Sequence, residues 1–170
     1  MDLYQAIKTR YSCRSYQSKQ IETEKLARIL ESARLAPSAK NLQDWRFVVV
    51  SDEKKRSQLA VAAYEQMFVA TAPVILVGCS NNDHTMRCGE KIGPIDLSIA
   101  MEHIALAAVA EGLATCWIGS FYPEKVRAIL GIPENVRVVE LMPLGYPADK
   151  ETHKPRESLE KIVCYENWKF

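Results

Sequence analysis

The stretch from Leu97 to Ala110 constrains this chain more than any other segment. Ile99, Ala100, Met101, Ile104, Ala105, Leu106, Ala107, Ala108 and Val109 leave only a thin polar edge at Ser98, Glu102 and His103. A helix that is apolar on nearly every side needs cover on nearly every side, and one face of a small domain does not supply that. Either the helix runs through the centre of the core, or it is shared between the core and a subunit interface. Its alanines permit close helix approach and favour the second arrangement, from which a homodimer follows. The stretch falls short of the roughly 20 residues that a bilayer span needs, so no membrane partner is expected.

The rest of the composition fits one globular unit. The 170 residues carry 22 basic and 21 acidic side chains, a net charge of +1. No internal repeat, low-complexity tract or flexible linker divides them, so residues 1–170 are read as a single domain. Near-zero net charge without a basic stripe argues against a nucleic-acid partner, while leaving room for a small local phosphate site. A chain of this size buries roughly two thirds of its unfolded surface, so a large cofactor must sit against the core or between two copies. Cys13, Cys79, Cys88, Cys116 and Cys164 are odd in number and include no CxxC pair. With no export signal at the N-terminus, they read as reduced thiols in a cytoplasmic protein. Cys79, His84 and Cys88 do not have a standard zinc-ligand spacing, and no metal is expected.

Local signals predict alternating helices and strands. Asp2 caps a short helix through Ile7, and Thr23 caps a second with Leu26, Ile29, Leu30 and Ala33 on one face, stopping near Ala36-Pro37. Phe47–Val50 and Val74–Val77 read as strands without alternation, as expected of strands buried on both faces. Ser51 or Asp52 caps the helix between them. Asp96 is expected to cap the long apolar helix, which ends at Gly112. A short strand over Thr115–Ile118, a helix opening at Pro123 and closing at Gly131, and a strand over Val136–Leu144 follow. A brief helical stretch and an aromatic tail end the chain.

Three segments carry residues suited to a ligand. Arg10-Tyr11-Ser12-Cys13-Arg14-Ser15-Tyr16 offers forked donors and a hydroxyl for phosphate and ribityl oxygens, or is an ordinary solvated loop. Ala36-Pro37-Ser38-Ala39-Lys40-Asn41-Leu42-Gln43-Asp44-Trp45 offers amides that match the mixed donor and acceptor edge of a pyrimidine-like ring, or is a turn whose Asn41 satisfies backbone groups. His153-Lys154-Pro155-Arg156 places cations far along the chain from Arg10, on a solvated face or converging on the same dianion.

In order along the chain stand the R-x-S-x-R segment, the A-P-S-x-x-N-x-Q-x-W loop, Glu111-Gly112-Leu113, Cys116-Trp117-Ile118-Gly119-Ser120-Phe121, Leu144-Gly145-Tyr146-Pro147 and the Lys-x-Arg tail. This order resembles the FMN-dependent nitroreductase family in its short form, over nearly the whole chain. The resemblance implies an α+β fold, a central mostly antiparallel sheet flanked by helices, in an intertwined homodimer with tightly but non-covalently bound FMN at the subunit interface. It matches Arg10, Lys154 and Arg156 to phosphate ligands, Ser12, with its neighbour Tyr11, to a ribityl or phosphate contact, and Arg14 to the cation near flavin N1 and O2. Ser38, Ala39, Asn41 and Gln43 match a loop brought to the flavin by the partner subunit. Gln66 and the Ile118, Gly119 and Ser120 turn match contacts near N5 and O4, and the tail through Val163 and Trp168 is expected to cross to the other subunit.

The implied activity is a ping-pong NAD(P)H oxidoreductase acting on nitroaromatics, quinones or similar small acceptors, with NADH or NADPH as a transient reductant. No GxGxxG fingerprint for a resident nicotinamide is present, and the flavin rather than a side chain carries the chemistry. The loop from Ser80 to Pro94 is expected to select the acceptor. Three departures from the family pattern stand out: Asp44 in place of proline, Glu65 in place of asparagine before Gln66, and Ala114 in place of glycine. A dehalogenase or dehydrogenase specialist on the same fold, or an FMN-binding protein without turnover, are the alternatives.

Overall fold

The computed structural model describes residues 1–150 and 154–170. Helix α1 (Leu3–Thr9) starts where the Asp2 carboxylate accepts the Gln5 N–H at 2.9 Å, and runs two residues beyond Ile7. Helix α2 (Thr23–Arg34) takes Thr23 as its first residue. Glu22 stands at the cap without a side-chain bond, so Thr23 is not the cap. Then follow β1 (Trp45–Val50), α3 (Glu53–Ala62), a single turn α4 (Phe68–Thr71), β2 (Val74–Ser80), α5 (Ile92–Ala110), β3 (Ala114–Thr115), α6 (Pro123–Leu130) and β4 (Arg137–Gly145). Asp52 caps α3 by accepting the Lys55 N–H.

The sheet is antiparallel in the order β1-β2-β4-β3. Central β2 is buried at every residue. Its alternate side chains serve two cores, as a pleated strand requires. Val74 and Leu76 join Ile29 and Ala33 of α2 and Leu97, Met101 and Ile104 of α5. Ile75 and Val77 join Leu59 of α3, Val69 of α4 and Val126 of α6. The expectation that β1 is buried on both faces does not hold. β1 is an edge strand, with Arg46 and Val49 exposed.

Helix α5 begins at Ile92, and Lys91, not Asp96, is its cap. Gly93 and Pro94 look like breakers, yet both lie in the first turn, where a proline forfeits no intrahelical bond. A Cβ at Gly93 would collide with Ser80 Oγ. The helix is therefore 19 residues, longer than the apolar stretch suggests and long and apolar enough to cross a membrane by length and composition alone; half of it is buried in the fold. Its other face keeps Ile95 exposed and Ile99, Leu106 and Val109 half-buried, so it serves the core and retains apolar surface beyond it.

Candidate functional site

Arg10 leaves α1 in extended conformation and starts a segment that runs parallel to β3, with Ser12 bridged to Thr115 and the Cys13 N–H donating to Thr115 O at 3.0 Å. Alternate residues of an extended chain face opposite ways, which sets Arg10, Ser12 and Arg14 on one side. The other side is fastened by Asp149. Its Oδ1 accepts from the Tyr11 hydroxyl at 2.8 Å and the Cys13 thiol at 3.2 Å, and its Oδ2 accepts from the Arg14 N–H at 3.0 Å. Burial raises this carboxyl, and the three donors more than offset that, holding it below the usual range. Burial pushes the Cys13 thiol up to about 11, so it is no nucleophile. Tyr11 spends its hydroxyl on Asp149. Nothing in the sequence marks Asp149 as this clamp, because it acts across 135 residues.

Arg10 keeps a loose ion pair with Glu102 of α5, Nε to Oε1 at 3.9 Å. Burial raises the Glu102 carboxyl, opposed by Arg10 and by a bond from the Trp117 side chain. The Arg14 guanidinium is exposed and donates to Ser12 O at 3.1 Å.

Beyond β3 the chain turns at residues 118–120, where Ile118 exchanges backbone hydrogen bonds with Leu141 of β4. Gly119 and Ser120 are exposed. With Tyr64, Gln66 and Phe121 they line an open cavity of about 550 Å³. Gln66 Nε2 donates to Ser120 O at 3.3 Å and Ala63 O at 2.8 Å, stapling the 64–67 bend to this turn. The 64–67 bend holds Tyr64 and Glu65 at φ of 55° and 59°.

The loop at residues 38–43 has the same unusual backbone, with Lys40, Asn41 and Gln43 at φ of 52°, 55° and 51°. Left-handed non-glycine residues cost free energy and cluster where a ligand is held. Here the loop is over-determined by Asp96, whose carboxylate accepts the Ala39 N–H, and by Ser38 Oγ, which accepts the Gln43 N–H at 3.0 Å. Asp96 is thus a loop anchor in the second turn of α5. The Asn41 and Gln43 side chains stay exposed.

One chain does not bring all these parts together. The 38–43 loop leads into β1 at one edge of the sheet, and the Arg10–Arg14 segment lies along β3 at the other. Three strand spacings, roughly 14 Å, separate the two edges. Lys154 and Arg156 are exposed, and the Arg156 guanidinium donates from Nη1 to the Lys154 backbone carbonyl at 3.3 Å. His153 lies outside the described residues. His103 is a satisfied interior histidine, its Nδ1 3.1 Å from Ser32 O. Among the described residues no cluster of His, Cys, Asp and Glu is arranged to hold a metal.

The geometry fits FMN. Arg10, Ser12 and Arg14 form a face of donors beside an open turn, and among the described residues a Cβ at Gly119 would meet only Glu140 Oε2, at 4.0 Å, so the missing side chain leaves room for a flat ring. Beside the same turn, the buried Thr115 Oγ1 and Glu140 Oε1 have no partner among the described residues.

The sequence profile of the Nitroreductase family matches residues 7–77 and 64–146. The NADH dehydrogenase of Thermus thermophilus is 32% identical over 197 residues, covering 97% of this chain and 96% of that protein. The crystal structure of a nitroreductase family protein from Clostridium novyi is 38% identical and superposes with a TM-score of 0.84 over 88% of this chain and 87% of its own. An FMN-dependent nitroreductase from Clostridium difficile is 29% identical, also with a TM-score of 0.84, over 96% of this chain and 98% of its own. The chain belongs to the nitroreductase family.

Proposed function

We propose that this chain is an FMN-dependent NAD(P)H oxidoreductase that works as a homodimer and reduces small acceptors such as nitroaromatics and quinones. The observation that carries the reading is the Arg10, Ser12 and Arg14 face, held rigid by Asp149, beside the open turn at Gly119 and Ser120. When bound, FMN supplies the redox chemistry, accepting a hydride from NADH or NADPH and passing the electrons to the acceptor.

The chain's own residues bind, orient and tune. Arg10 and Ser12 offer charge-assisted donors to the phosphate and ribityl oxygens. Arg14 presents a cation to the ring edge where negative charge grows on reduction. Tyr11 shapes this face through its backbone, and Ala39 carries the Asp96 anchor. Ile118 fixes the turn to β4, so that the backbone N–H groups of Gly119 and Ser120 would be held in place to receive the ring. Gln66 holds the turn from beneath, while Ser38, Asn41 and Gln43 bring amide and hydroxyl donors from the strained loop.

Two copies complete the site. In that dimer the loop of one copy meets the cationic face of the other, and the Lys154 and Arg156 cations arrive with the crossing tail. The exposed apolar side chains support this arrangement. Leu3, Tyr4 and Ile7 of α1 and Leu159, Ile162, Tyr165, Trp168 and Phe170 of the tail are all more than half exposed, more apolar surface than a monomer ordinarily leaves in water. The cavity at the 118–120 turn is open to solvent, which lets reductant and acceptor use it in turn, as ping-pong kinetics requires.

A panel of nitro, quinone and halogenated acceptors added to the NAD(P)H-reduced protein tests the acceptor class. Parallel double-reciprocal lines are expected with nitroaromatics and quinones. Turnover confined to halogenated substrates points to the specialist reading.

A further inference from the structure

Glu140 is a carboxylate in an unusual place. It lies on β4 opposite Gly78 of β2, where the strand register shifts between Gly78 and Cys79. Its Oε1 is shut off from solvent and, among the described residues, has no hydrogen-bond partner. Its Oε2 points to Gly119, 4.0 Å from where a Cβ would stand. A half-buried carboxylate with neither a cation nor a full set of donors costs free energy unless it carries a proton.

The neighbouring elements do not neutralise it. From β2, Gly78 brings no side chain, and from α5, Leu97 fills the space above that glycine. From the segment leading into the turn comes the Cys116 thiol, which lies in the field of Arg14, Glu140 and Arg10 together. The two guanidiniums act on that thiol, and neither pairs with Glu140. Burial pushes the Glu140 carboxyl up to about 7, with a backbone contact at Ile118 acting the other way.

We propose that Glu140 is a positioning residue for the Ile118–Ser120 turn, standing beside it at Gly119 and coupling its hold on FMN to a proton. With the proton on, no negative charge stands beside the N–H donors of Gly119 and Ser120. When the carboxyl O–H bond breaks and the proton passes to solvent, a negative charge beside the turn disfavours an electron-rich ligand there. The inference rests on the FMN reading above and adds a residue that no local signal in the sequence marks.

The test has two arms. The first follows the glutamate side-chain carbons of the ligand-free protein by NMR, with Glu140→Gln identifying the resonance. Titration near neutrality is expected, and titration near the ordinary value of about 4 overturns the proposal. The second measures FMN affinity by fluorescence quenching from slightly acid to alkaline pH. Wild type is expected to bind about fivefold or more weakly at the alkaline end, and Glu140→Gln to stay flat at the tighter value. Equal pH dependence in the two proteins overturns the proposal. If neither binds FMN at any pH, the FMN reading falls and takes the proposal with it, while the first arm still reports whether the carboxyl is perturbed. Should Glu140→Gln fail to fold, the wild-type resonance, assigned through bonds, decides the question alone.

Discussion

Asp96, in the second turn of α5, accepts the backbone N–H of Ala39 with both carboxylate oxygens, at 3.2 and 3.1 Å. This contact ties the most buried helix to the strained loop that carries Ser38, Asn41 and Gln43. Burial raises the Asp96 carboxyl and Asp44 adds to the shift, with the Ala39 N–H opposing both.

Two substitutions separate charge from hydrogen bond here. Asp96→Ala leaves a half-buried N–H without its protein partner and is expected to cost about 1 kcal/mol in urea unfolding, with weaker FMN binding as the loop loosens. Asp96→Asn keeps an acceptor and removes a desolvated charge, so its stability at neutral pH should match or slightly exceed wild type. A carboxyl raised by folding binds its proton more tightly folded than unfolded. Its cost is fully present above the folded pKa and is relieved as pH falls, so wild type should gain on Asp96→Asn in acid. A constant difference at all pH values would contradict this.

Asp149 has the opposite sign. Its carboxylate is held below the usual range, so its contribution is present above the unfolded value of about 3.9 and is lost as pH falls through the lower folded pKa. Asp149→Asn, which replaces a charged acceptor of three donors, should destabilise by about 1 to 3 kcal/mol at neutral pH. The gap to wild type should narrow below pH ~4. Stability equal to wild type at neutral pH would show that the clamp holds nothing.

Arg14 is the tuning residue of the account. A hydrogen bond to a charged group contributes about 1.5 to 3 kcal/mol, and roughly 30 mV corresponds to 1.4 kcal/mol for a two-electron couple. Arg14→Gln should therefore lower the midpoint potential of bound FMN by about 30 to 60 mV in a spectroelectrochemical titration. An unchanged potential removes Arg14 from the ring edge.

Gly119 separates the site from the fold. Among the described residues, a Cβ there meets nothing closer than Glu140, so Gly119→Val should unfold within about 0.5 kcal/mol of wild type. It should nonetheless lose FMN, because its methyl groups occupy the ring's place. Normal FMN binding by this variant would move the cofactor elsewhere.

The sequence is most readable where the chemistry is local. Pro123 at the start of α6, Gly131 at its end with φ of 69° and Gly112 after α5 with φ of 76° follow from steric rules that need no neighbours. The Arg10–Arg14 face is equally local, since alternation in an extended segment puts those side chains together. What could not be read depends on contacts across the fold. The start of α5 was hidden because Gly93 answers to Ser80, and β1 looks like a central strand because its exposed edge is a property of strand order. Asp149, Asp96 and Glu140 act through partners 135, 57 and 21 residues away, and no motif announces them. The proposed meeting of the 38–43 loop with Arg10 in a second copy is a contact between chains, and no local motif fixes which surfaces such a contact joins.

Anaerobic mixing of FMN-loaded protein with NADH and with NADPH, followed by visible absorbance, tests the central claim most directly. The account predicts rapid bleaching of the oxidised flavin band with at least one nicotinamide, and its return on adding a quinone or a nitroaromatic. Colourless protein that does not take up FMN, or yellow protein that stays oxidised with both nicotinamides, would contradict it.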